Sequence, residues 1–266
     1  MHNLWSRWPE IQKHIRSRKN LLLLLDYDGT LTLIAPTPRQ ARLSPQTKLV
    51  LRRLSRKSNV TLAVISGRAL ADLKRMVGLR HLAYAGNHGL ELWWHNKRRT
   101  VKIPRSLKEA LSEVERILSK VGREFDGVIM ENKGLSLSLH YRLVKANELT
   151  HLKKEFWSHV MPFVRSGTIR VVRGKRVFEV RPNVPWTKGH AALWFMKKLA
   201  NPSCLPIYIG DDQTDEDAFR VLKSGITIRV GEHYRSEAQY YVRRVREVVR
   251  FLEWVADEHA RRDHWG

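Results

Sequence analysis

A chain of 266 residues with 42% hydrophobic residues and nine tryptophans can fill one large domain or two modest ones, which excludes a disordered protein. Its one cysteine, Cys204, excludes an intramolecular disulfide framework, fits a reducing compartment and reads as a small space-filling residue. The 49 Lys and Arg against 26 Asp and Glu give a net charge of +23, which attracts anions of any kind. These basic residues are scattered, without zinc-finger spacing, a basic zipper or an RNA-binding aromatic signature, so nucleic acid is not the expected partner.

Leu4, Trp5, Trp8, Ile11 and Ile15 recur at helical spacing and predict an amphipathic helix over residues 3–19. The apolar run that follows is too short for a secretory signal, and no segment is long enough to cross a bilayer, so a cytoplasmic monomer is expected. That run, five leucines at 21–25, reads as a strand buried on both faces, as in parallel sheets covered by helices. It stops at Asp26-Tyr27-Asp28-Gly29-Thr30. Ligands of open α/β sheets bind beyond the carboxyl ends of the strands. If the backbone stays extended, Asp26 and Asp28 point the same way, and two like charges side by side call for a cation or a shared proton.

Ser44-Pro45 caps a helix running to about residue 56, with Leu49, Leu51 and Leu54 apolar. Residues 61–65 form a second buried strand ending at Ser66-Gly67-Arg68, where a hydroxyl and a backbone N–H can either face a phosphate or cap the helix at 69–76. Residues 82–85 form a third strand ending at Gly86-Asn87-His88-Gly89. His88, between glycines, reads as a loop residue for substrate contact or loop bracing, not as a core histidine. Glu91, Trp93, Trp94 and a basic turn follow. Three strand–helix units in succession predict a doubly wound parallel sheet, Rossmann-like.

The pattern then changes. A helix at 106–120, strands at 127–130 and 135–143, a helix at 147–159 and a hairpin of 168–172 with 177–180 about Arg173-Gly174-Lys175 make an α+β unit. It reads as a domain inserted at 103–183 into a core of 1–102 and 184–266. Polar Glu131, Lys133, His140, Arg142, Glu179 and Arg181 recur on its strands, as on any solvated sheet face. The core resumes with a helix from Thr187-Lys188-Gly189 to Leu199. A lysine at a helix N-terminus opposes the helix dipole and calls for a nearby carboxylate or anion. A strand at 206–209 leads to Gly210-Asp211-Asp212-Gln213-Thr214-Asp215-Glu216-Asp217. Capping accounts for one or two of these acids; a magnesium site beside Asp26 accounts for the cluster. A strand at 226–230 and a helix at 242–258 close the chain.

Three strand ends and a helix start thus offer Asp26 and Asp28, Ser66, Asp211, Asp212 and Asp215, and Lys188, the parts of phosphoryl transfer. In LDYDGTL at 25–31, VISGR at 64–68, GNHGLEL at 86–92, ENKGLSLSLHYR at 131–142, FEVRP at 178–182, WTKG at 186–189 and GDDQTDEDAF at 210–219, the chain resembles the haloacid dehalogenase superfamily, and within it the trehalose-6-phosphate phosphatases. The resemblance implies Asp26 as nucleophile, Asp28 as acid and base, and Ser66 and Lys188 on the phosphoryl oxygens. It implies Mg2+ on Asp26, the Asp28 carbonyl and Asp211, with Asp212 and Asp215 in support. Gly67, Arg68, Asn87, His88, Glu131, Lys133, Arg142 and Glu179 are the implied substrate-binding residues, for a small sugar phosphate under a closing cap. Two departures stand out: Leu33 occupies the family's usual proline position and Asn132 that of a common acid. The alternatives are another glycosyl phosphate (of the sucrose, glucosylglycerol or mannosylglycerate type) and, in a different class, a nucleic-acid-binding or regulatory protein on the same fold.

Overall fold

The computed structural model describes residues 1–201 and 203–262. The chain opens with β1 (His2–Asn3), α1 (Trp8–Arg16), β2 (Leu21–Leu25), α2 (Pro45–Leu54), β3 (Val60–Ile65), α3 (Leu70–Val77), β4 (Ala83–Gly86), β5 (Glu91–Trp94) and β6 (Lys97–Thr100). It continues through α4 (Arg105–Val121), β7 (Ile129–Asn132), β8 (Leu137–His140), α5 (Leu149–Arg165), β9 (Ile169–Gly174) and β10 (Val177–Pro182). It closes with α6 (Lys188–Leu199), β11 (Leu205–Gly210), α7 (Glu216–Val221), β12 (Ile226–Val230), β13 (Tyr240–Val242) and α8 (Val245–Arg262). Met1–Thr100 with Trp186–Gly266 forms one compact unit and Val101–Pro185 another.

The first unit is built on a nine-stranded sheet in the order β1-β13-β12-β11-β2-β3-β4-β5-β6. All pairings from β1 to β4 are parallel; β4 with β5 and β5 with β6 are antiparallel. The leucines of β2 lie at its centre, wholly buried, because both faces are covered. Leu21, Leu23 and Leu25 pack with the apolar faces of α1, α2, α3 and α8; Leu22 and Leu24 pack with α6 and α7, through Ala191, Phe195 and Phe219. In register, Leu25 stands beside Ile209 of β11 and Val64 of β3. The three strands therefore end together, and Asp26, Ser66 and Asp211 emerge from one edge.

The second unit is a four-stranded antiparallel sheet, β7-β8-β10-β9, with α4 and α5 on one face. Leu137, Leu139, Phe178 and Val180 point into that core, where Phe156 stacks on Phe178 at 4.1 Å between ring centroids. The period-two alternation puts Ser138, His140, Glu179 and Arg181 on the other face.

Several expectations needed adjustment. Ser44 caps α2 through its Oγ, but Leu49 is 58% exposed while Thr47 and Val50 face inward with Leu51 and Leu54. The helical face is set one position away from the leucine-only count. Residues 91–100 form a hairpin around His95 and Asn96, both at positive φ, the two-residue turn that suits strand twist. β1 at the sheet edge and β13 beside it are too short to carry a period, and β13 ends at Val242, the residue expected to open the last helix, which starts at Val245. β7 lies about two residues later than expected, β8 is shorter, and α5 runs past Pro162 because Phe163 and Val164 still pack on the core. The β9–β10 turn sits one residue later, with Arg176 rather than Gly174 in the left-handed region. Among the described residues no helix is long and apolar enough to cross a membrane.

Candidate active site

Asp26 follows directly on β2, and its backbone N–H donates to Ile209 O at 2.9 Å, extending the β2–β11 ladder one step. Its side chain is buried. Lys188 is the first residue of α6 and its side chain is only 3% exposed. Its Nζ donates to Asp26 Oδ1 at 2.6 Å and to Asp215 Oδ1 at 2.8 Å. Two carboxylates thus supply the countercharge that a lysine at a helix N-terminus requires. Burial works against the Lys188 charge, but Asp215 and then Asp26 outweigh it, and the net effect raises its pKa. Burial raises the Asp26 pKa well above the ordinary range, Lys188 opposes this, and Asp215 and Asp211 add to it.

Asp215 is saturated. Lys188 Nζ and the Tyr208 hydroxyl, at 2.7 Å, donate to Oδ1, and the backbone N–H groups of Asp211 and Asp212 donate to Oδ2 at 3.1 and 3.0 Å. Its carboxylate therefore shapes the turn that presents Asp211. Asp211 in turn lies against Gly29, where a Cβ would stand 2.1 Å from Asp211 Oδ2 and the backbone φ is +81°. A side chain there would strain the backbone and displace the Asp211 carboxylate.

Asp26, Asp211 and Asp215 each bring a carboxylate oxygen within 4.8 Å of the others. Three carboxylates and one ammonium leave excess negative charge when all are ionised. An all-oxygen, carboxylate-rich donor set suits a hard divalent cation, and the bare Gly29 backbone leaves the room in which the Asp211 carboxylate sits. The residues present fit a metal ion.

The other acids of the run have different work. Asp212 accepts from Gln213 N and caps the short turn at 213–215. Glu216 takes Arg229, Ser236 Oγ and Glu237 N, and Asp217 pairs with Arg220. Asp212, Glu216 and Asp217 thus have partners within the protein, and of the run Asp211 and Asp215 are the acids grouped with Asp26.

Ser66 follows directly on β3 with 1% exposure, and its Oγ accepts from Arg68 N at 3.3 Å. It does not cap α3, whose N-cap is Ala69. Gly67 leaves room for His88: a Cβ there would lie 2.4 Å from the imidazole. His88 sits in a turn, as expected, and is buried there. Asn87 and His88 both take positive φ, and the turn is pinned from behind. Asn87 Nδ2 donates to Glu91 Oε2 at 2.7 Å, Arg98 Nη2 to Glu91 Oε1 at 2.6 Å, and Trp186 Nε1 to Gly89 O at 2.7 Å. Asp28 is not one of the three clustered carboxylates; it is gripped by Arg68 through both oxygens, at 2.7 and 2.6 Å.

In the second unit Glu131, Ser138 and Glu179 stand side by side across three strands. Lys133 Nζ and Ser138 Oγ donate to Glu179 Oε1 at 2.9 and 3.0 Å, and Arg181 Nη2 to Oε2 at 3.1 Å. His140 meets Glu131 at 3.1 Å. Arg142 donates to Lys175 O in the β9–β10 turn, apart from the Glu179 contacts.

Tyr208, Glu91 and Ser138 escaped sequence reasoning. A signal existed for Tyr208: a phenol inside an otherwise apolar buried strand must find an acceptor. Ser138 alternates with core leucines, a pattern shared by every half-solvated strand.

Residues 24–244 match the protein family described as trehalose-phosphatase. The chain is 30% identical over 263 residues to the probable trehalose-phosphate phosphatase 4 of Oryza sativa subsp. japonica, covering 94% of this chain and 70% of the relative. It is 30% identical over 265 residues to the probable trehalose-phosphate phosphatase H of Arabidopsis thaliana, covering 92% and 74%. The C-terminal domain of a C. albicans trehalose-6-phosphate phosphatase superposes with a TM-score of 0.81, covering 94% of this chain and 96% of that one; at 22% identity this likeness speaks for the fold alone.

Proposed function

The chain belongs to the trehalose-phosphatase family, and we propose that it hydrolyses trehalose 6-phosphate to trehalose and inorganic phosphate, a step of trehalose biosynthesis. The observation that carries this reading is the buried series Tyr208–Asp215–Lys188–Asp26, which holds one carboxylate at the end of the central strand beside an ammonium. Such a carboxylate is oriented for attack on a phosphate drawn in by the same cation.

Asp26 attacks phosphorus as the bond to the sugar oxygen breaks, and Asp28 gives that oxygen its proton. Water then attacks the aspartyl-phosphate, its proton passes to Asp28, and the Asp26–phosphorus bond breaks to free phosphate. Ser66 Oγ and Lys188 Nζ hold phosphoryl oxygens. Asp26, Asp211 and the Asp28 carbonyl would hold Mg2+, with Asp215 fixing the turn behind Asp211 and Asp212 capping it. When bound, the ion offsets charge on the transferring group. Gly67, Asn87 and His88 shape the wall beside Ser66. Glu131, Lys133 and Glu179 take sugar hydroxyls, and Arg142 braces the hairpin beside them. One cysteine fits work in a reducing compartment such as the cytoplasm.

The test is phosphate release by the purified protein, with and without Mg2+, from trehalose 6-phosphate, glucose 6-phosphate and sucrose 6-phosphate. A metal-dependent preference for the first is expected. Equal rates across the three esters sink the dedicated substrate, and no release from any sinks the enzyme reading.

A further inference from the structure

Arg68 and Asp28 form a pair of unequal partners. Arg68 Nε donates to Asp28 Oδ2 at 2.7 Å and Nη2 to Asp28 Oδ1 at 2.6 Å. The Arg68 side chain is 9% exposed and that of Asp28 39%. The guanidinium is packed on its other sides as well. It lies 5.3 Å from the centroid of the Tyr27 ring, and its Nη1 points to Met76 Sδ at 3.3 Å. Tyr27 is itself fixed, donating its hydroxyl to Ala41 O at 3.0 Å. The arginine is therefore the stationary partner and the carboxylate the one with room to move. Two parallel bonds from a planar fork set both the direction and the plane of a carboxylate.

We propose that Arg68 is the positioning residue for Asp28, acting on proton transfer through that carboxyl group and not as a ligand for the phosphate. The proposal rests on the reading of Asp28 as acid and base. Each Asp28 oxygen accepts one bond from Arg68 and keeps a further lone pair, so the carboxyl group can carry a proton while the fork holds it in place. That proton then passes to the leaving oxygen as the phosphorus–oxygen bond breaks and the bond from Asp26 forms. In the second half a water proton returns to Asp28 as the water oxygen bonds to phosphorus and the Asp26–phosphorus bond breaks. A lysine at 68 keeps the charge and one bond but loses the fork.

The leaving group separates this role from phosphate binding. A sugar alkoxide needs a proton to depart; a phenolate does not. First-turnover release of alcohol or phenol is measured for the wild type, Arg68→Met, Arg68→Lys, Asp28→Asn and the double variant Asp28→Asn/Arg68→Met. The substrates are trehalose 6-phosphate, simpler alkyl phosphates and p-nitrophenyl phosphate, with inorganic phosphate as competing inhibitor. For Arg68→Met the expected loss is roughly 10- to 100-fold on alkyl esters and under about threefold on the aryl ester, with phosphate inhibition unchanged. Arg68→Lys recovers part of the loss, and it carries the test if the methionine variant does not fold. The double variant is no slower than Asp28→Asn, because Arg68 acts only through that residue. Equal losses on both ester classes, weaker phosphate inhibition, or a further loss in the Asp28→Asn background overturn the proposal. A wild type active on alkyl phosphates but not on trehalose 6-phosphate overturns the substrate reading alone. A wild type active on none overturns both.

Discussion

Gly29 and Asp211 meet so closely that the smallest side chain on one would displace the other: a Cβ at Gly29 would lie 2.1 Å from Asp211 Oδ2. The turn after the first strand and the turn after β11 are thereby made to fit each other. Gly29→Ala is expected to fold, with some strain from its φ of +81°. Pushing the Asp211 carboxylate aside by even ~1 Å would lower kcat/KM by about 10²-fold. Mg2+ titration of activity checks this; an unchanged half-saturating concentration would argue against Asp211 as a metal-holding group.

Asp26→Asn and Lys188→Met separate chemistry from stability. Asp26→Asn keeps the size of the side chain and is expected to abolish turnover in a folded protein; retained activity would refute it as nucleophile. Lys188→Met strips the cation from two buried carboxylates. Losing one partner of a buried pair costs about 3–5 kcal/mol, so a markedly lower melting temperature should accompany lost activity. A stable, inactive Lys188→Met would show that the pairing with Asp26 and Asp215 carries little of the fold.

Glu179 gathers Lys133, Ser138 and Arg181. Glu179→Ala is expected to impair phosphate release from the disaccharide ester more than from an aryl phosphate. Leaving those buried donors without their acceptor would also lower stability by about 1–3 kcal/mol. Equal losses on both substrates would make Glu179 a structural residue of the cap sheet.

Chelation should silence the enzyme without unfolding it. The Asp211–Asp215 turn is held by protein donors, four of them on Asp215 alone. Treatment with EDTA is therefore expected to remove activity, excess Mg2+ to restore it, and circular dichroism to stay unchanged. Full activity in the chelator would exclude a required divalent ion.

The Arg68 pair was beyond sequence reasoning. VISGR marks a strand end and a turn, and says nothing of where an arginine with several rotatable bonds will rest. The glycines flanking His88 signalled its turn, but not its burial, because only the fold shows that Gly67 opens a slot into which this ring fits. Nor does proximity in sequence tell which carboxylates of the acidic run converge: Asp211 and Asp215 meet Asp26, while Asp212, Glu216 and Asp217 take other partners. Leu49 shows the limit of periodicity, because two adjacent helical faces can carry leucine and only packing selects one.

By itself the sequence determined the elements whose signals are local: five leucines that must be buried on both faces, a serine–proline helix start, glycines at strand ends, and an alternating cap strand. It also determined the order of the motifs, and with it the family. Tertiary structure alone decided which charges meet. Lys188 reaches Asp26 across 162 positions of chain and Asp215 across 27. That meeting depends on β2 and β11 lying side by side in register, and on α6 starting where their ends open. Hydrophobic burial sets that arrangement without regard to the charged groups, so their pairing cannot be read until the strands are in place.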